Sequence, residues 1–326
     1  MHQCSYRGIP PFDRSNCEGK DGTMTENRNS GVPQKPAGKP HKFPVYYLYG
    51  LGTMLIWSST FSFSKVSLEV FSVPMLSILR FVFAGLFMLA FACIKRIGLP
   101  DRRDIPWFLL AAAVGFSVYQ PVFNKGMDML TSATACIVIV TAPVITGVFA
   151  RILFGERIRI GGWIGMTICF AGILILMLWN GVLSINVGIV WMFGAACLLA
   201  AYTLTQRKLT RKYTALQSTA YSIIIAAVML LFLLPFTDPK ELAMATPRHW
   251  LSTVYLGFFG SAISYLCWSK ALSLTDKTAK ISNLQFLQPG LSMTWGFLIV
   301  MEVPTAEVFV GMFVILLGMV IFTKMK

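Results

Sequence analysis

The feature that most constrains this chain is a succession of apolar segments about twenty residues long, each cut off by Gly, Pro or charge. They fall at 46–64, 74–94, 106–124, 131–153, 160–179, 187–206, 216–236, 250–269, 281–301 and 305–323. A stretch of roughly 20 apolar residues spans a bilayer as a helix, and in lipid only helices and closed barrels satisfy every backbone group. Hydrophobic residues make up 56% of the 326 and charged ones only 13%, which excludes an ordinary soluble domain. The expected fold class is therefore an all-α polytopic membrane protein with ten transmembrane helices.

Residues 1–43 are rich in Pro, Gly, Asn and Lys and lack apolar periodicity, which predicts a disordered cytoplasmic tail. They contain no basic start followed by an apolar core and a small-residue cleavage site, so no secretory signal peptide is expected. Met24 is an alternative initiator.

Orientation follows from Lys and Arg, which stay cytoplasmic in short loops. With the amino terminus inside, the inner loops collect fourteen of them, from Lys95, Arg96, Arg102 and Arg103 through Arg151, Arg157, Arg159, Arg207, Lys208, Arg211 and Lys212 to Lys270, Lys277 and Lys280. The outer ends collect four: Lys65, Lys125, Lys240 and Arg248. Both termini are thus expected in the cytoplasm. The formal charge of +14 reads as a topology signal facing anionic lipid, not as a nucleic-acid surface.

Two stretches repeat one arrangement: "APVITGVFARILFGE" (142–156) and "QPGLSMTWGFLIVME" (288–302) each place a proline thirteen residues before a glutamate. Pro143 matches Pro289, Glu156 matches Glu302 and Gly172 matches Gly318 at an offset of 146, and Lys125-Gly126 matches Lys270-Ala271 at 145. Five helices per copy is an odd number, so the second copy enters the membrane from the opposite side. The predicted domains are the tail (1–43), a first five-helix repeat (44–180) and a second, inverted one (181–326). Secondary transporters are built this way, with the substrate between the halves near the midplane.

Both prolines fall near mid-bilayer, Pro143 about 18 Å from the outer end of its span and Pro289 about 12 Å from the inner end of its own. Each is read as a hinge in a kinked helix whose glutamate caps the next helix or pairs with Arg. The segments "LIWSSTFSFSKVSLEVFSVPMLSILRFVFAG", "LTSATACIVIVTAPVITGVFARILFGERI" and "GSAISYLCWSKAL" with "ISNLQFLQPGLSMTWGFLIVMEVPT" resemble the EamA family of the drug/metabolite transporter superfamily over residues 46–323. That resemblance implies a ten-helix inverted-repeat carrier, typically a bacterial inner-membrane exporter of amino acids or other small metabolites.

Polar groups inside a bilayer are costly and are site candidates by default. Arg80, about six residues into the second span, and Lys65, at the outer end of the first, are placed to attract a carboxylate or phosphate. Trp57, Ser58, Phe61, Tyr119, Gln120, Asn124, Tyr202, Gln206, Tyr265, Trp268, Ser282, Asn283, Gln285 and Gln288 supply aromatic walls and neutral hydrogen-bonding groups. The cluster "ISNLQFLQP" is the strongest group, because its amides and hydroxyls flank a proline. Gly161, Gly165, Ala171 and Gly172 are expected to let the fifth span approach a neighbour closely.

No acidic residue or histidine is expected mid-helix, which favours facilitated diffusion or exchange over proton coupling; sodium held by backbone carbonyls stays open. His2, His41 and His249 are read as outside the spans, and no nucleophile elbow, zinc motif or nucleotide-binding loop occurs. The expected protein is not an enzyme, uses no cofactor or metal, and acts as a monomer or homodimer on a small-molecule substrate. A sensor, scaffold or channel is the competing reading. The seven cysteines have no close pair within the spans and read as small apolar residues.

Overall fold

The computed structural model describes residues 45–154, 159–178, 187–274, 281 and 283–325. The tail and Glu156, Arg157, Asp276, Lys277, Lys280 and Ser282 lie outside them. Every regular element among the described residues is helical. Six stretches are long and apolar enough to cross a membrane: Val73–Ile94, Arg102–Met129, Ser132–Phe149, Val187–Lys212, Ala215–Phe236 and Pro247–Ser273. The chain is a multi-pass membrane protein, and its packing is inverted relative to a soluble one. Leu86, Phe232, Phe297, Leu298, Phe313 and Leu317 face outward, while Thr53, Ser59, Ser77, Asn124, Gln206 and Ser269 are buried. That distribution suits lipid outside and a polar interior.

The first helix, α1 (Val45–Leu68), buries seven Ser and Thr residues. Its hydroxyls fold back onto their own helix, Ser58 to Leu55 O (2.9 Å), Ser59 to Ile56 O (2.7 Å) and Thr60 to Trp57 O (2.6 Å). This removes donors that lipid could not satisfy. Helix α2 (Val73–Ile94) starts where the Ser72 side chain accepts from Met75 N and Pro74 fills a first-turn position. Beyond it Arg96 adopts a left-handed φ of 47°, which stops the helix. Then come α3 (Ile105–Ala112), a π-helical segment Ala113–Ser117, and α4 (Tyr119–Met129).

The fourth predicted span is not one kinked helix. It is two, α5 (Ser132–Ile139) and α6 (Ala142–Phe154), broken at Val140 and Thr141. Pro143 is the second residue of α6. There its missing amide breaks no intrahelical bond, so the proline starts a helix instead of bending one. The ninth predicted span behaves alike: a 3₁₀ turn Asn283–Leu287 precedes α13 (Gln288–Val300), with Pro289 again in the first turn. The two helix starts are 146 residues apart.

Between these come α7 (Ile160–Leu178), α8 (Val187–Lys212), α9 (Ala215–Leu230), α10 (Lys240–Met244), α11 (Pro247–Tyr255), a π-helical segment Leu256–Ile263, and α12 (Ser264–Ser273). Helix α8 extends six residues past its predicted end, so Arg207, Lys208, Arg211 and Lys212 ride on helix, not loop. The last six residues of the seventh predicted span, Leu231–Phe236, tighten into 3₁₀ helix around Pro235. His249, read as outside the spans, lies in the first turn of α11, buried and completing a capping box with Thr246. "MEVPT" is the predicted tight turn: Met301 caps α13 at φ 55°, and α14 (Ala306–Met325) follows.

Helices α7 and α14 pack backbone against backbone. A Cβ on Gly165 would lie 2.6 Å from Gly318 O, and one on Gly318 would lie 2.6 Å from Cys169 N. Farther along α7, Gly172 faces Gly311 and Ile315 of α14. Rising numbers in α7 meet falling numbers in α14, so the two helices run antiparallel.

Candidate functional site

A small cavity, with room for little more than one or two waters, lies among seven of these helices. From α1 come Trp57, Thr60 and Phe61, spaced i, i+3, i+4 and so on one face. Arg80 enters from α2, Tyr119 and Phe123 from α4, and Ile139 from the last turn of α5. Leu199 of α8, Tyr265 of α12 and Gln288, the first residue of α13, complete the lining.

Irregular backbone surrounds this cavity. Ile139 precedes the α5–α6 break, Gln288 follows the 3₁₀ turn, and Tyr119 and Tyr265 each stand two residues beyond a π segment. Ala113–Ser117 displaced by 145 residues falls inside Leu256–Ile263. π segments frequently mark functional sites because the wider turn re-aims side chains.

The aromatic walls are interlocked. Trp57 meets Tyr265 edge to face (centroids 5.0 Å) and packs at a tilt against Trp268 (5.3 Å), while its indole Nε1 donates to Ser264 Oγ at 2.9 Å. Phe61 packs on Phe123 (5.4 Å), and Tyr119 stacks on the same ring (5.6 Å). Arg80 is 4% exposed; its Nε donates to Ser261 Oγ at 2.7 Å, and its Nη1 is buried without a hydrogen-bond partner.

Of the residues proposed from sequence, Trp57, Phe61, Arg80, Tyr119, Tyr265 and Gln288 meet at this cavity. Ser58 does not: it is buried against its own helix. Gln120 donates to Asn124 Oδ1 (2.8 Å) and Asn124 to Ser77 Oγ (3.0 Å), a buried relay joining α4 to α2 away from the cavity. Lys65 stands at the end of α1 facing Glu302 and Asp128, not the cavity. Trp268 backs Trp57, and Tyr202 packs on Tyr265 (5.5 Å) and Phe116 (5.1 Å).

A second polar cluster links α8, α9 and α12. Gln206 Nε2 donates to Ser269 Oγ (2.7 Å) and Ser218 Oγ (2.9 Å), and Thr219 Oγ1 donates to Ser269 Oγ (2.7 Å). The Gln206 Oε1, Tyr202 hydroxyl, Trp268 Nε1 and Gln285 Oε1 are buried without partners. Asn283 lies in the 3₁₀ turn, and Ser282 is outside the described residues.

Thr60, Phe123, Ile139, Leu199 and Ser261 were absent from the sequence-derived set. Helical spacing carried a signal for two of them, since Thr60 is three residues from Trp57 and Phe123 is four from Tyr119. Ile139, Leu199 and Ser261 carry none, because apolar and hydroxyl residues at those positions look like any packing residue.

The glutamate at the end of α13 does cap a helix, though not the next one. Glu302 Oε2 accepts from Ser132 N at 2.8 Å, at the start of α5. The turn folds Glu302 back, with its amide bonded to Gly296 O at 3.1 Å, so the carboxylate reaches across to the first half. At the other end of the bundle Asp104 accepts from Lys212 and from the Tyr213 hydroxyl (2.5 Å).

A multi-pass helical fold around a buried aromatic and polar cavity is compatible with a membrane transporter, and similarity to known proteins assigns that class. The model of the EamA-like transporter family matches residues 44–178 and again 186–324. The chain belongs to that family. It is 26% identical to the uncharacterized transporter YdfC of Bacillus subtilis, over 83% of this chain and 88% of the relative. It is 28% identical to a probable terminal-alkyne amino-acid exporter of Streptantibioticus cattleyicolor, over 79% and 86%. One solved crystal structure superposes with a TM-score of 0.62 at 20% identity, covering 86% of this chain and 97% of the other.

Proposed function

We infer that the protein is a secondary carrier that exports a small amino-acid-like or amphipathic solute across a bacterial inner membrane by alternating access. Its ten crossings form two inverted five-helix halves, 44–180 and 181–326, with both termini in the cytoplasm. The cavity, lined by α1, α2, α4 and α5 from the first part of the chain and by α8, α12 and α13 from the second, is the observation that carries this reading. The double family match and the matched helix starts at Ala142 and Gln288 support the duplication.

The packing of α7 on α14 supports the inversion. At the offset of 146, Gly165 corresponds to Gly311 and Gly172 to Gly318. The contact of Gly165 with Gly318 is then the same contact as that of Gly172 with Gly311, seen from the other half. Reciprocity of that kind is what a two-fold axis produces.

Ties across the halves at both ends, Glu302 to Ser132 and Lys212 to Asp104, together with the narrow cavity, correspond to an occluded step. Releasing one tie at a time exposes the site to one side only. Among the described residues no carboxylate lines the cavity, in keeping with facilitated diffusion or exchange. The amino-acid exporter among the relatives favours export of amino-acid-like solutes.

Proteoliposomes loaded with a panel of unlabelled amino acids test the proposal. A carrier gives saturable uptake of labelled substrate that speeds up when unlabelled substrate is inside. Uptake that neither saturates nor responds to internal substrate would mean a channel, and binding without any flux would mean a sensor.

A further inference from the structure

Arg80 is a fixed cation buried in the cavity wall, and no carboxylate among the described residues pairs with it. Its guanidinium cannot give up its proton at physiological pH. Among the described residues the ion pairs join Lys125 to Asp128, Lys212 to Asp101 and Asp104, and Arg248 and His249 to Glu69; none includes Arg80. An uncompensated buried charge is strongly unfavourable, so such a group persists where a counter-charge arrives from outside the chain.

The surroundings hold the guanidinium in place for that purpose. Ser261 fixes Nε from within the π segment Leu256–Ile263, leaving the buried Nη1 without a partner. Gly260 makes the space: a Cβ there would sit 2.8 Å from Thr60 Cγ2 and 3.4 Å from Arg80 Nη2. Facing Arg80 are the rings of Trp57, Phe61, Tyr119, Phe123 and Tyr265, with the Gln288 amide as a further polar group. Among the described residues the cavity therefore offers one positive charge, an aromatic enclosure and no negative charge.

We propose that the solute is an organic monocarboxylate with an aromatic or branched apolar body, its carboxylate taken by Arg80 and its amino group, if present, not required. This deepens the carrier reading and rests on it. Amino acids enter the site through the carboxylate, while amines lacking one are excluded. The assignment differs from a zwitterion site, which would pair the ammonium with an acid.

The test is binding to the purified full chain in detergent and chloride-free buffer, followed by tryptophan fluorescence, with 3-phenylpropionate, its primary amide, phenylalanine and 2-phenylethylamine as probes. The acid and phenylalanine should bind with comparable affinity. The amide should bind at least about tenfold more weakly, the loss expected for one charged hydrogen-bonded contact, and the amine should not bind. Arg80→Gln should bring acid and amide to equal, weak affinity. Tight binding of the amine, or an acid preference that survives Arg80→Gln, overturns the assignment. Should Arg80→Gln fail to fold, the comparison of acid, amide and amine on the unaltered chain decides by itself. Because binding needs no flux, a chain that binds the acid selectively but never moves it contradicts the carrier reading alone.

Discussion

Trp57 does two things at once: its ring walls the cavity, and its indole N–H ties α1 to Ser264 of α12. Trp57→Phe keeps most of the wall and deletes the tie. We expect folding to survive and substrate affinity to fall, measured as a several-fold rise in KM for flux, with Ser264 left without its indole donor. Glu302→Ala removes the acceptor at the start of α5, which should cost about 1 kcal/mol, a fall of about 2 °C in Tm, like other lost caps. Six of the cavity residues were legible from sequence because a charge or a polar-tipped side chain inside an apolar span is costly and needs a reason, and aromatic rings flank those positions. Ser58, Gln120 and Asn124 misled for a physical reason: buried polar side chains satisfy themselves on whichever helix they meet, and sequence does not say which.

Proline was the clearest signal along the chain and also the one whose consequence sequence reasoning got wrong. Pro143 and Pro289 begin helices after a break, so Pro289→Ala should leave stability within about 1 kcal/mol of the parent in unfolding assays, whereas a proline bending a helix interior would not be neutral to remove. The break itself was invisible, because in sequence Val140 and Thr141 look like part of an ordinary apolar helix. Gly165 and Gly172 of α7, in contrast, acted as read. Gly318→Leu would drive a side chain into the Cys169 backbone, and we expect a loss of about 1–3 kcal/mol or more in unfolding assays, with α7 and α14 separated. At Gly290 an added methyl group would meet nothing within 4 Å, so alanine there should be accepted with little change.

Across the molecule, hydropathy was legible because the bilayer imposes it on every crossing. Outward Leu and Phe and inward Ser, Thr, Asn and Gln satisfy the same rule the apolar segments obey. What sequence left open was how the halves meet, since ties such as Glu302 to Ser132 and Asp104 to Lys212 join residues more than a hundred positions apart. The claim on which the rest depends is that these ties close opposite ends in turn. Spin labels at Asp128 and Val303 report the first end, and labels at Arg102 and Arg211 the second, in protein held in lipid nanodiscs. Glu302→Ala should lengthen the first distance while the second stays short, and Asp104→Ala should do the reverse. If either variant lengthened both distances together, or neither distance moved in either variant, the two ends would not alternate and the account would be wrong.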